Sequence, residues 1–144
     1  MLPTLSSINY LAVIVSAIVY MGFGFLWYSP ILIGKPWMKL MGYDKMSKAE
    51  MKKMQKESGP AYMLSSATSL VQSFLLAWVV LPFYAAASTS SVVLGVALLW
   101  ICFTLCYALT GAAFTKKPYT LVAIDSGYQL FGLIIVTIIL KLWA

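Results

Sequence analysis

The sequence contains no arginine and no histidine, and only four acidic residues stand against ten lysines. Without arginine the chain has no planar guanidinium to hold a phosphate or a carboxylate through two parallel hydrogen bonds. Proteins that bind nucleic acids use such contacts together with exposed aromatic side chains. The net charge of +6 therefore does not indicate a nucleic-acid partner.

Motifs typical of soluble enzymes are missing as well. There is no glycine-rich phosphate loop, no Gly-x-Ser-x-Gly and no pair of acids at a useful spacing. Cys102 and Cys106 lie four residues apart in an apolar run, which gives poor geometry for a disulfide and offers only distant carboxylates as further metal ligands. We expect a protein that is not an enzyme, with no cofactor and no bound metal.

Apolar residues dominate what is present. Hydrophobic residues make up 62% of the chain and charged residues 10%, and the mean hydropathy is +0.90. A soluble domain averages roughly 45–50% apolar and about 25% charged residues. Such an excess cannot all be buried in a small water-soluble core, so the composition indicates a membrane protein.

Four apolar stretches are long enough to cross a bilayer, since about 20 helical residues span the ~30 Å hydrocarbon core. They are predicted at residues 8–28, 61–82, 92–114 and 119–142. No basic residue precedes the first stretch, so it is interpreted as a retained span rather than a secretory signal. The predicted fold is an all-α polytopic membrane protein, a single four-helix domain over residues 1–144.

The one long polar connection, residues 29–60, carries seven lysines against three acids, a net charge of +4. Ser47 and Glu50 have the spacing of a helix capping box, and Gly59-Pro60 predicts a helix end. The intervening segment predicts a short amphipathic helix lying on an anionic membrane surface. Its lysine face comprises Lys45, Lys48, Lys52 and Lys56. In an alternative interpretation, the methionines of the other face bind a partner protein.

Charge also predicts the orientation of the chain. With four spans, the lysine-rich connection and the Lys116-Lys117 turn lie on one side, and both termini lie on the other. The positive-inside rule places the lysine side in the cytoplasm. Tryptophan and tyrosine at the predicted span ends agree with this arrangement.

Asp125 is the one acid predicted at membrane depth. The rise per helical residue places several polar side chains in an inner layer near it. The candidate polar site comprises Asp125, Tyr128, Gln129, Ser65, Ser69, Gln72 and Thr110. Asp125 is interpreted either as the titrating group of a proton- or cation-linked site or as a structural residue. In the structural interpretation it reaches water, Lys116 or Lys117, or accepts hydrogen bonds from Ser65, Ser69 and Thr110.

Small residues recur at four-residue intervals in the predicted spans, a spacing that permits close approach of helices. The pairs are Ala12 with Ser16, Ser91 with Gly95, Ala108 with Ala112, and Ala123 with Gly127. Four helices of this length bury little surface against one another, so a homo-oligomer is expected.

Three short motifs resemble a known family. They are Leu26-Trp27-Tyr28-Ser29-Pro30, the segment Gly34-Lys35-Pro36-Trp37-Met38 with Met41-Gly42, and Ile124-Asp125-x-Gly127-Tyr128. Together they resemble an uncharacterised family of small bacterial integral membrane proteins, a domain of unknown function, over nearly the whole chain. The resemblance implies a bacterial inner-membrane protein with four helices, and it implies no activity.

The leading functional hypothesis is a small oligomeric membrane protein that binds or passes a small solute, a cation or a proton through its inner polar layer. The alternative is an accessory or structural protein that engages lipid or a partner through the segment rich in lysine and methionine.

Overall fold

The structure, a computed structural model, describes residues 4–143, so residues 1–3 and 144 of the predicted domain lie outside the described range. The described chain is helical and contains no strand, which confirms the all-α prediction. Seven α-helices follow one another within residues 4–143. They are α1 (Tyr10–Trp27), α2 (Gly34–Leu40), α3 (Lys48–Glu57), α4 (Gly59–Leu75), α5 (Thr89–Trp100), α6 (Cys106–Thr115) and α7 (Tyr119–Trp143).

In the part of the chain that the structure describes, four continuous helical segments are long and apolar enough to cross a membrane. The first span is α1, and the fourth span is α7. The second span, Gly59–Tyr84, joins α4 to a π-helical turn (Leu76–Val80) and a 3-10 turn (Leu81–Tyr84). The third span, Thr89–Thr115, joins α5 to α6 through a second π-helical turn (Ile101–Leu105). The sequence gives no sign of these two π-helical turns, each of which inserts a wider turn in the helix.

The spans run alternately up and down. At one end, which we call the terminal end, the Asn9 side-chain amide donates to the Trp143 carbonyl at 3.0 Å. At the same end, Lys141 Nζ donates to the carbonyls of Tyr84 and Ala85 at 3.2 and 2.9 Å. These carbonyls explain how the fourth span accommodates a lysine near its end. The opposite end, where α1 and α6 finish and α4 and α7 begin, is called the lysine end.

Helices α1 and α7 form the centre of the bundle. Helix α1 packs against both α4 and α7, and α7 also packs against α5 and α6. The tightest core lies toward the terminal end, where its members are nearly inaccessible to solvent. They are Ala12, Val13, Leu76, Leu81, Val92, Val96, Val136 and Leu140. The small residues Ser16 and Ala112 are also buried, so members of the predicted small-residue pairs pack within the bundle.

The connection between the first two spans folds back against the lysine end. The Gly34 N–H donates to the Ser29 carbonyl at 2.9 Å, and the Ile33 N–H donates to the Trp27 carbonyl at 3.1 Å. A Cβ at Gly34 would overlap the backbone of Tyr28 and Ser29, so this tight turn requires glycine. The turn leads directly into α2.

The capping box of the amphipathic helix is confirmed. The Ser47 N–H donates to Glu50 Oε2 at 2.7 Å, and the Glu50 N–H donates to Ser47 Oγ at 3.3 Å. Because Ser47 has an extended backbone and caps the helix, α3 begins at Lys48. Lys45 therefore lies in a separate 3-10 turn (Tyr43–Lys45), and its predicted place on the helical lysine face is wrong. Helix α3 ends at Glu57, just before Gly59-Pro60.

Candidate functional site

A polar cavity of about 540 Å³ lies between the second and third spans, in the half of the bundle nearer the lysine end. All four spans contribute to it, and every side chain in its lining is uncharged. We call it the cleft. Its lining residues are Tyr20, Ser65, Thr68, Gln72, Trp100, Thr104, Tyr128, Gln129 and Leu133.

Helical spacing brings these polar groups together. Ser65, Thr68 and Gln72 are separated by three and four residues on α4, so they form one stripe along the helix. Trp100 and Thr104 are also four residues apart, and Thr104 lies within the π-helical turn of the third span. Helix α7 adds the neighbours Tyr128 and Gln129. Each span thus turns a short polar face toward the same space.

The indole of Trp100 has an unusual environment. The residue is 8% exposed, and its Nε1–H has no hydrogen-bond acceptor among the described residues. A buried donor left without a partner costs about 1–3 kcal/mol. Trp100 lines the cleft, so a ligand or water with a free acceptor would satisfy this donor there.

A second cavity of about 480 Å³ lies at the lysine end, between the spans and the folded-back connection. We call it the chamber. Methionines and aromatic rings form most of its lining, with a few polar groups. The lining residues are Met21, Gly24, Phe25, Tyr28, Trp37, Met38, Tyr43, Met51, Met54, Gln55, Ser58, Tyr62, Ser65 and Tyr128.

The cleft and the chamber share two wall residues, Ser65 and Tyr128. The Tyr128 ring is held within an aromatic cluster, with its centroid 5.1 Å from that of Tyr20 and 5.4 Å from that of Tyr28. Its hydroxyl and ring edge lie against Gly24, where a Cβ would come within 3.0 Å of the hydroxyl oxygen. Tyr128 therefore occupies a fixed position between the two cavities.

Asp125 lies outside the lining of both cavities. Its Oδ1 accepts a hydrogen bond from Tyr28 Oη at 3.1 Å, and its Oδ2 lies 2.8 Å from Lys117 Nζ. The side chains of Asp125 and Lys117 are 30% and 40% exposed. The structure therefore brings Asp125 to a cation at the lysine end, as one of the two interpretations expected.

Two of the three hydroxyl groups expected to donate to Asp125 donate to other acceptors. Ser69 Oγ donates to the Ser66 carbonyl and Thr110 Oγ1 to the Cys106 carbonyl, each at 2.9 Å and within its own helix. Their predicted hydrogen bonds to Asp125 are therefore wrong. Short hydroxyl side chains in helices readily bond the carbonyl one turn back, which satisfies them locally.

Of the predicted polar site, the structure brings four residues into one lining: Ser65, Gln72, Tyr128 and Gln129. Sequence reasoning missed Tyr20, Thr68, Trp100 and Thr104. Thr68 could have been found, because it lies three residues after Ser65 on the same helical stripe. The other three depend on how the spans rotate about their axes, which only the packing decides.

The aromatic and turn motif joins the first span to the fourth. Trp27 Nε1 donates to the Ile124 carbonyl at 3.2 Å, and a Cβ at Gly127 would lie 3.2 Å from the Trp27 ring. Ser29 Oγ donates to the Leu26 carbonyl at 2.6 Å and closes the end of α1. Pro30 and Lys35 are exposed, whereas Trp37 lines the chamber. The motif residues thus shape the lysine end.

Comparison with curated proteins and with solved structures gives no match. A family described as "Protein of unknown function (DUF1761)" matches residues 11–141, which include both cavities, the three motifs and all but the outermost residues of the first and fourth spans. The chain therefore belongs to the DUF1761 family.

Proposed function

We propose that this protein binds a small uncharged polar solute in the cleft and passes it across a membrane. The observation that carries the proposal is that uncharged hydrogen-bonding side chains from all four spans line one cavity. Polar side chains in a spanning helix are costly unless they face one another or a water-filled space. The proposed role is non-enzymatic, because the solute leaves chemically unchanged.

The chemistry of the lining favours a neutral solute over an ion. Asp125, the acid at membrane depth, is absent from the lining and is paired with Lys117. A dehydrated cation in the cleft would have hydroxyls and amides as partners but no opposite charge. Hydroxyl, amide and indole groups suit a molecule that both donates and accepts hydrogen bonds.

A route into the cleft is supported by the two shared wall residues. The chamber lies at the lysine end, and Ser65 and Tyr128 separate it from the cleft. A change in the side-chain rotamer of Ser65 would join the two spaces beside Tyr128, which stays packed in its aromatic cluster. The wall of the cleft formed by the third span contains Thr104, which lies in a π-helical turn. Such turns frequently occur at functional sites.

Osmotic flux tests this proposal directly. The protein is reconstituted in proteoliposomes, and glycerol and urea entry is followed by stopped-flow light scattering. We expect entry of at least one probe to be faster than in protein-free vesicles. Thr104→Val should lower that rate several-fold, because valine keeps the shape of threonine and removes its hydroxyl.

Thr110→Val is the matched control, because Thr110 lies on the same span outside the cleft lining and bonds its own helix. Its rate should equal that of the unmodified protein. Entry of both probes at the rate of protein-free vesicles would overturn the proposal. A proton flux reported by an enclosed pH dye, with no solute entry, would overturn it in favour of ion transport.

We infer further that the protein lies in a bacterial cytoplasmic membrane with its lysine end in the cytoplasm and that copies associate. The charge distribution supports this orientation. Association is supported by the low burial of the third span. Only 17% of the residues in its 18-residue apolar stretch are buried within one chain. Native mass spectrometry from detergent should then give the mass of two or more copies of the 15.9 kDa chain. A uniform monomer at every protein concentration would exclude association.

An accessory role is the second candidate function, and the exposed lysines of α3 favour it. In that role the chain would engage an anionic lipid surface or a partner protein and pass no solute. A specific partner that co-purifies with the intact chain and is lost when residues 45–57 are deleted would support this candidate.

A further inference from the structure

We propose that the chamber is a binding site for an anionic amphiphile, whose apolar part enters the chamber and whose charged group lies beside Lys48 and Lys52. This ligand is distinct from the solute proposed for the cleft, and the inference does not depend on solute passage. While it occupies the chamber, it would close the route from the lysine end to the cleft. Its occupant could come from the membrane as an anionic lipid or from the aqueous phase as a free fatty acid.

The interior of the chamber is suited to a flexible apolar chain. Four methionines line it, and methionine adapts its shape to irregular apolar ligands. Rings stand at steep angles along one wall, with Trp37 centred 5.0 Å from Tyr28 and 5.5 Å from Tyr43. The volume of about 480 Å³ falls in the range of small-molecule sites.

Helix α3 gives the chamber a charged border. Met51, Met54 and Gln55 line the chamber, so the less polar face of α3 is turned toward the bundle. Lys48 and Lys52 precede Met51 and Gln55 by three residues, which makes each a surface neighbour of a lining residue. Both lysines are exposed, and within the described chain no ion pair involves either of them.

Charge decides the sign of the ligand. No acidic residue lines the chamber. Glu50 precedes the lining residue Met54 by four residues, but its carboxylate is held in the capping box with Ser47, and the connection that forms the roof of the chamber carries a net charge of +4. An organic cation would enter this aromatic space against the field of the surrounding lysines. The same field attracts an anion, and each lysine beside the charged group strengthens the attraction.

Bromine quenching of Trp37 tests the proposal on the full-length protein in detergent. The probe is 9,10-dibromostearate at about pH 8.5, where a carboxyl group is ionised. We expect tryptophan quenching to contain a saturable component. Trp37→Phe should remove that component because Trp37 lines the chamber, and Trp143→Phe should retain it because Trp143 lies at the terminal end.

The requirement for lysines beside the charged group of the ligand is tested with a lysine double variant and a control lysine variant. Lys48→Gln with Lys52→Gln should raise the half-saturating concentration roughly fivefold for each lysine. Lys53→Gln is the control, because Lys53 is paired with Glu57 at 3.9 Å and is not a surface neighbour of the lining residues. The methyl ester of the same acid, which has no charge, should bind as weakly to the unmodified protein as the acid binds to the double variant.

Nanodiscs distinguish the two sources of the ligand. Trp37-dependent quenching by brominated phosphatidylglycerol, but not by brominated phosphatidylcholine, would assign the site to a membrane lipid. Quenching by the free acid alone would assign it to a fatty acid. Quenching that is unchanged by Trp37→Phe, or equal for the acid, its ester and the lysine variants, would overturn the proposal.

Discussion

The Asp125 carboxylate accepts a hydrogen bond from Tyr28 and pairs with Lys117, which lies eight residues earlier in the chain. Both members of the ion pair keep about a third of their side-chain surface exposed. Such a pair contributes at most about 1 kcal/mol, because solvent screens it. Asp125 is therefore a modest stabiliser of the lysine end.

We predict that Asp125→Asn lowers the unfolding free energy by less than about 1 kcal/mol, since asparagine still accepts from Tyr28. Glycerol or urea flux should stay within about twofold of the unmodified rate, which corresponds to a barrier change well under 1 kcal/mol. Reversible unfolding in mixed micelles and the vesicle assay measure the two quantities. Abolished flux with unchanged stability would instead restore Asp125 as the functional group.

Glycine positions differ sharply in what surrounds them. At Gly34 a Cβ would overlap backbone atoms of Tyr28 and Ser29, which cannot move without opening the turn. We predict that Gly34→Ala costs roughly 1–3 kcal/mol, the range for forcing atoms into a packed site. Thermal unfolding followed by circular dichroism measures the loss.

Gly22→Ala is the matched control, because the position is inside a helix and, apart from the backbone of that helix, no atom of the described residues lies within 4 Å of the added Cβ. It should be neutral or stabilise by up to about 1 kcal/mol. Equal destabilisation by both substitutions would contradict the role assigned to the Ser29–Gly34 turn.

The sequence identified Asp125, Ser65, Gln72, Tyr128 and Gln129 as polar residues in the inner half of the bundle, and depth follows directly from helical rise. It could not identify Tyr28 as a partner of Asp125, because the two are 97 residues apart and meet through the packing of the first and fourth spans. Depth along a helix is a local property, whereas the direction of a side chain depends on neighbouring helices.

At the scale of elements, the amphipathic helix α3 was predictable because its capping box is local. Hydrogen bonds with Ser47, chiefly through its side chain and then its backbone, lower the pKa of Glu50. A lowered pKa in the folded state means that the folded protein favours the ionised form of Glu50. The cap is therefore fully formed above the ordinary glutamate pKa of about 4.3 and is lost as pH falls through the lower folded value.

We predict that in acid the amide hydrogens at the start of α3 exchange faster in the unmodified protein than in the Glu50→Gln variant measured at the same pH. Glutamine can complete a capping box without titrating, so the variant removes the pH dependence and keeps the cap. Ser47→Ala should accelerate exchange at every pH. Identical profiles for the unmodified protein and Glu50→Gln would show that ionisation of Glu50 does not hold the helix end.

The four long apolar helical segments were predictable from apolar run length, and the limits of these segments lie within three residues of residues 8–28, 61–82, 92–114 and 119–142. The π-helical turns at Leu76–Val80 and Ile101–Leu105 were not, because they lie in unbroken apolar sequence. The fold of the 29–60 connection was also unpredictable in detail. Its chamber arises from contacts of Trp37, Tyr43 and Met51 with distant spans.

At the scale of the whole molecule, Asn9 and Trp143 meet at one end of the bundle, and all the lysines except Lys141 lie at the other. We predict that an engineered cysteine at Ser6 is labelled by an impermeant thiol reagent added outside intact cells. A cysteine at Lys45 should be labelled only after the membrane is opened. Native Cys102 and Cys106 are replaced by alanine in both variants. Labelling in the reverse order would invert the proposed orientation.

The most direct test concerns whether the cleft is a polar, water-accessible space inside an apolar bundle. In the same alanine background, Thr104→Cys is compared with Phe103→Cys, an adjacent position at nearly the same depth that is 72% exposed on the outer surface of the span. A charged methanethiosulfonate reagent reacts with ionised thiols in water and not with thiols in lipid. We predict that the cysteine at 104 reacts and the cysteine at 103 does not. An unreactive cysteine at 104, or equal reaction at both positions, would contradict the cleft.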